Sequence, residues 1–301
     1  MLTLYAVLDS TSVAGAYRFD IQPGYDLTVE VTNRLFFRRP VERIGIAPLT
    51  SMFFHGENTD RFTDDFRPEV HDSDGLLMGR SNGEWVWRPL NNPRQLRISV
   101  FRENSPVGFG LLQRDRNPDH YQDFDSTYHL RPNAWVETLG AWGQGAIYLI
   151  EIPSDAEKYD NIVSFWVPDQ PVKAGAELGF NYRLHFMLDE YMVPRGGRVV
   201  ATRAGASPLR SPDKPTRRFV VDFASESLKR LGSQAHLTAD VGHSSGELSN
   251  VLVEKNEELG IWRLTFDLTP EEGKDPVELR AVLKSGADML SETWIYQWSM
   301  R

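Results

Sequence analysis

Two aspartates sit where an acid could do chemistry. Asp72 lies in His71-Asp72-Ser73-Asp74-Gly75, within the dense polar stretch Phe66–Pro93, and Asp160 lies in Tyr159-Asp160-Asn161-Ile162, just ahead of an apolar run. A carboxyl held at a strand edge over a cleft loses water, which raises its pKa and equips it as a general acid. Asp123 and Asp125, in Gln122-Asp123-Phe124-Asp125-Ser126, offer two further carboxylates. The plainer reading of each is a turn residue that accepts hydrogen bonds from nearby backbone amides, as Asp and Asn commonly do. At this level both readings stand.

The aromatic and basic residues around these acids narrow the chemistry. Trp85, Trp87, Tyr121, Tyr128, Trp135 and Trp142 fall in or beside loop-rich sequence. Tryptophans beside carboxylates suit a sugar-binding cleft, where rings stack on pyranose faces and acids act on the glycosidic bond. Arg67, Arg88, Arg114 and Arg116 would hydrogen-bond hydroxyls or hold the carboxylates in place. Structural ion pairs would use the same arginines, and part of the tryptophan set belongs to the core. His71, His120 and His129 stand near acids without HxH or HExxH spacing, so neither a metal nor another cofactor is expected. Ser73 has no GxSxG context, and the Gly-rich pieces GFG and GAWGQG lack the strand-to-helix setting of a phosphate loop.

These residues need a scaffold, and the composition favours β structure. The chain has 301 residues, 41% of them hydrophobic, with 18 prolines and 23 glycines to turn it. There is no cysteine, which excludes disulfides and thiolate metal sites. A net charge of -9 disfavours a broad nucleic-acid surface. No apolar run is long enough to span a membrane as a helix.

Alternation predicts strands at 2–8, 16–21, 26–37, 43–48, 96–101, 108–114, 134–138, 145–152, 161–167 and 178–186. Residues 49–93 and 115–133 read as polar loops. Residues 188–217, with prolines and glycines among arginines, read as a linker. Six further short strands between 218 and 298, with a helical turn at Ser225–Leu231, suggest an immunoglobulin-like sandwich over 218–301. Strand after strand with short connections favours an antiparallel sandwich for 1–187.

Several segments then resemble a known family. GIAPLTSMFFHG, FRPEVHDSDGL, NGEWVWRPLNNP, GFGLLQRDR, RPNAWVETLGAWGQGAIYLIEIP, DNIVSFWVPDQP and LSETWIYQW occur in order. They are similar to the glucan biosynthesis protein G and D family, periplasmic proteins needed for osmoregulated periplasmic glucans. The resemblance implies an all-β chain: a galactose-mutarotase-like β-sandwich, here without its first part, followed by the immunoglobulin-like sandwich. It implies a β-1,2-linked glucan in a long cleft of the larger domain, and inverting endo-glucanase or transglycosylase chemistry in some members. Asp160 would be the general acid and Asp72 the base side, acting on water through a relay. Substrate contacts would come from His71, Arg67, Trp85, Trp87, Arg88, Tyr121, Asp125, Tyr128 and Trp135.

An inverting pair holds its carboxyls roughly 6.5–9.5 Å apart, and the acid should lie in the drier part of the cleft. Location in the periplasm, and an N-terminal domain that begins before Met1, follow from the family. The sequence also departs from the family's pattern. QDFDSTY carries less charge than the usual acidic stretch, FFHGENTDRF replaces a Pro- and Asn-rich segment, and Asp74 replaces an asparagine, which would raise the pKa of Asp72 by like-charge repulsion. A second reading is a non-catalytic glucan-binding scaffold, whose immunoglobulin-like domain docks a membrane glucan synthase.

Overall fold

The computed structural model describes residues 1–59, 63–190, 196–209 and 215–300. Regular structure among them is almost entirely β, as alternation predicts. The helical pieces are the turns Pro118–Tyr121 and Glu226–Arg230 and the 3-10 turn Tyr128–Leu130. One long sheet runs in the order Leu2–Asp9, Val13–Gln22, Leu27–Phe37, Asn181–Met187, Asn133–Leu139, Gly108–Leu112, Gly75–Gly79, Trp85–Pro89, Thr293–Trp298, Val277–Ser285 and Thr238–His243. Only one junction along it is parallel: Trp85–Pro89 meets Thr293–Trp298 through Val86–Thr293 and Trp87–Trp294. The sheet therefore passes from the N-terminal half into the C-terminal half without an edge.

Two four-stranded sheets cover it. Ile46–Ser51, Ile162–Pro168, Gln144–Glu151 and Arg97–Asn104 form one; Arg198–Ala206, Arg217–Ala224, Ile261–Thr269 and Glu247–Asn256 form the other. The first core gathers Val31, Leu35, Phe109 and Val136 of the long sheet against Ile147, Leu149, Ile162 and Trp166. The second gathers Leu279, Ala281, Trp294 and Tyr296 against Phe219, Val221, Leu264 and Phe266.

Between the cores, the central strands are buried on both sides. Leu76 and Met78 enter the first core and Leu77 the second; Val86 enters the first and Trp87 the second. Glycines make room for the large rings. A Cβ on Gly75 would lie 2.3 Å from the Trp87 ring, and one on Gly108 would lie 2.5 Å from the Trp135 ring.

The structure corrects two sequence expectations. Phe66–Pro93 is not loop throughout, because it holds the strands Gly75–Gly79 and Trp85–Pro89. A strand buried on both faces has no polar alternation, so its period is invisible in the sequence. The expected linker 188–217 likewise contains the strand Arg198–Ala206, which pairs with Arg217–Ala224. Its Val199, Ala201 and Thr202 find partners through a bulge between Val199 and Ala201, which breaks simple alternation. Residues 210–214, also within that expected linker, lie outside the described residues.

Candidate functional site

A short piece of backbone sets Asp72 and Asp160 next to each other. The Asp72 N–H donates to the Met52 carbonyl at 2.9 Å, fixing the loop that follows Val70–His71. One residue along, the Phe53 N–H donates to the Asn161 side-chain oxygen at 2.8 Å, and the Asn161 amide donates to the Phe53 carbonyl at 3.0 Å. Asn161 is buried, so the amide beside Asp160 is the anchor while Asp160 itself is exposed. Residues 52 and 53 thus hold both acid loops.

The two carboxylates feel each other. Burial pushes the Asp72 carboxyl above the ordinary range, the Arg131 guanidinium pulls against it, and the Asp160 and Glu157 charges add to the rise. Arg131 Nε stands 3.0 Å from Asp72 Oδ1 as an ion pair, and the same guanidinium lies over the Tyr128 ring, 5.5 Å from its centroid. Asp74 does not act on Asp72 as expected. Its carboxylate turns the other way, accepting from the backbone N–H groups of Arg114 and Asp115 and lying 3.7 Å from His71 Nε2. The acidities are also arranged differently from the expectation, since the half-buried acid is Asp72 and the exposed one is Asp160.

Arg67 ties the surrounding loops together. Its guanidinium donates to Asp65 at 2.8 and 3.0 Å and to Asp123 at 2.8 Å, and it pairs with Glu157 at 2.6 Å. Those bonds hold the Asp65 carboxyl down at about 2, against its burial. Asp123 also accepts the N–H groups of Asp125 and Ser126, which leaves Asp125 exposed at the loop tip. The segments 65–67, 123–126 and 157–160 are thereby fastened through one side chain. Arg67 was expected at the substrate; its hydrogen bonds go to the protein.

Below Asp72 lies a buried polar layer. His71 is 1% exposed; one ring nitrogen is 2.9 Å from Gln113 Oε1 and the other 2.8 Å from Glu69 Oε2. Burial opposes its protonation, but the Glu69 hydrogen bond and the Asp74 charge outweigh it and push the pKa up to about 9. Tyr121 and Tyr128 pack with Met52 and Val70 in a small core of their own, and the Tyr121 hydroxyl donates to the Asp115 carbonyl. Glu69 brings its ligand atoms near those of His71 and Asp74, and near those of Asp115 and His120. Both histidines already bond within these groups, His120 to Asp115 at 2.5 Å, so the clusters satisfy themselves.

Other expected contacts lie elsewhere. Trp87, Trp135, Arg88, Tyr121, Tyr128 and His71 are all buried, leaving no face for a sugar in this conformation. Arg88 pairs with Glu151 at 3.4 Å and lies over the Tyr296 ring. Trp85 is partly exposed but stacks on Trp135, and its strand pairs it with Gly79, at the end of the hairpin away from Asp72. Sequence reasoning missed Arg131, Glu157 and Asn161 beside the acids. Arg131 precedes a proline and Asn161 follows Asp160, but nothing in either local pattern signals a partner so distant in sequence.

These features define an all-β sandwich protein that presents two aspartates on adjacent, commonly anchored loops. The chain belongs to the family described as periplasmic glucan biosynthesis protein, MdoG, which it matches over residues 1–298. It is 48% identical over 315 residues to glucans biosynthesis protein D 1 of Ralstonia nicotianae, covering 99% of this chain and 58% of that relative. It is 47% identical over 300 residues to glucans biosynthesis protein G 1 of Shewanella oneidensis, covering 100% of this chain and 54% of that relative. A probable glucans biosynthesis protein D of the same organism is 45% identical, with 56% of its length covered. The chain thus spans little more than half the length of these relatives. A role in periplasmic glucan biosynthesis follows from the family, and no described helix is long and apolar enough to cross a membrane.

Proposed function

We propose that the chain carries the acid pair of an inverting endo-glucanase or transglycosylase acting on β-1,2-glucan in the periplasm. The observation that carries this reading is the common anchoring of Asp72 and Asp160 to residues 52 and 53, within electrostatic reach of each other. Asp160, open to solvent, meets the glycosidic oxygen and protonates the leaving group when a bound glucan covers it and displaces water. Asp72, ionised and steadied by Arg131, accepts the proton of the attacking water through a relay. Asp125, exposed at the tip of its loop, reaches the glucan from the side. Binding and orientation by the loops that Arg67 fastens supply the remaining positioning.

Reducing-sugar release from linear β-1,2-glucan tests this. Asp160→Asn and Asp72→Asn should each lower the rate by at least about a hundredfold, the usual scale for a general acid or base. Release equal in the wild type and both variants would sink the reading.

A second reading, a non-catalytic glucan-binding scaffold that docks a membrane glucan synthase, is favoured by the exposure of Asp160. Glucan binding without release in the wild type is its expected outcome.

A further inference from the structure

We propose that the groove at the junction of the two halves is a second binding site, one that takes a small organic anion such as a sugar phosphate. The groove has a volume of about 610 Å³ and is lined by residues 91–98, by Arg217, by Asp275 and Pro276, and by the end of the C-terminal strand from Tyr296 to Met300. That volume lies within the roughly 300–1,000 Å³ of small-molecule sites. None of its lining residues is one of the site residues expected from the sequence.

The charge of the lining selects the ligand. Arg94, Arg97 and Arg217 face a single carboxylate, Asp275, which accepts the Met300 N–H at 2.8 Å. Arg97 gives its guanidinium to neutral acceptors, the Gln297 carbonyl and the Ser299 hydroxyl, both at 3.2 Å, and Arg94 is exposed. Their positive charge is left for an oxyanion, for which a guanidinium is the best-matched partner.

Trp298 supplies the second, independent sign. It is 9% exposed and lines the groove, yet its indole Nε1 is buried with no hydrogen-bond partner among the described residues. Buried donors are normally satisfied, so this N–H points to an acceptor that the protein does not itself supply. A sugar hydroxyl or ring oxygen meets that need, while the phosphate sits at Arg94 and Arg97. Leu96 and Ile98, 59% and 51% exposed, give the apolar strip along which the body of the ligand lies. The site is independent of the acid pair, and loss of glucan chemistry would not bear on it.

The test is a titration of the 15N-labelled chain, following the Trp298 indole signal, which is identified by its absence in Trp298→Phe. Glucose 6-phosphate, inorganic phosphate and glucose are the probes. Glucose 6-phosphate should move that signal and bind about tenfold more tightly than inorganic phosphate, and glucose should leave it in place. Arg94→Gln should weaken binding about tenfold, the scale of one charge-assisted hydrogen bond. Arg94 is exposed, so this variant keeps the fold, and the rest of its spectrum reports that. The proposal is overturned if glucose 6-phosphate leaves the signal unmoved, if it binds no better than phosphate or glucose, or if Arg94→Gln binds as the wild type does.

Discussion

Among single residues, Arg131 has the clearest consequence for chemistry. It is the cation nearest Asp72 and the main force lowering a pKa that burial, Asp160 and Glu157 all raise. A base must be ionised, so the acidic limb of the pH–rate profile follows this carboxyl. Arg131→Gln removes the opposing charge, so that limb should move to higher pH while the alkaline limb stays in place. Rates of glucan cleavage measured from pH 4 to pH 9 check this, and an unmoved limb would detach Asp72 from the base role. Asp72 and Asp160 were legible in the sequence because each sits in a distinctive motif. Arg131 and Glu157 were not, because their role arises only when loops distant in sequence meet. The tryptophans misled for a different reason. Trp87 and Trp135 stand beside turns in the sequence, yet Gly75 and Gly108 open space for their rings inside the sheet.

At the scale of elements, the strand Arg198–Ala206 is latched to the loop carrying Glu57. One Glu57 oxygen accepts the Thr202 N–H at 2.7 Å, and the other pairs with Arg203 at 2.8 Å. Burial nevertheless pushes this carboxyl up to about 8, with Arg203 pulling against the rise. A folded-state pKa above the unfolded value means that the native protein holds its proton more tightly. The stability from this group is complete below pH 4.5 and is lost as pH rises towards 8. His71 acts in the same direction, its share being complete below pH 6.5 and lost as pH rises through 9. The melting temperature should therefore fall from pH 5 to pH 9. Glu57→Gln, which imitates the protonated acid, should flatten the part below pH 8. Equal slopes in thermal melts of the two proteins would contradict this account. Strands with one wet face, such as Leu27–Phe37, were readable from alternation, whereas the two-sided Gly75–Gly79 was not.

Across the whole molecule, the shared sheet and the Arg114 joint make the two halves one body. Arg114 is buried between Glu190 at 2.9 Å and Glu292 at 2.5 Å, donates to the Val199 carbonyl, and lies 3.6 Å from the centroid of the Trp87 ring. Removing it leaves two buried carboxylates facing each other. Arg114→Met should cost about 3–5 kcal/mol, the usual toll for breaking a buried pair from one side. Denaturant titration would measure this as a lower midpoint, with both halves unfolding in a single transition. A loss below about 1 kcal/mol would mean that the carboxylates find other partners or take up protons. The sequence suggested two sandwiches but gave no sign of this union, because the parallel pairing of Val86–Trp87 with Thr293–Trp294 joins segments from opposite ends of the chain.

The double burial of Gly75–Gly79 also limits how the chain can change in length. Inserting or deleting one residue there would exchange the faces of Leu76, Leu77 and Met78, sending each into the wrong core. Most strands can absorb such a slip by exposing one face, but this one has no solvent side to turn outward. Insertions and deletions among homologous chains should therefore collect in loops such as 56–69 and 113–132, the same loops that surround the acid pair.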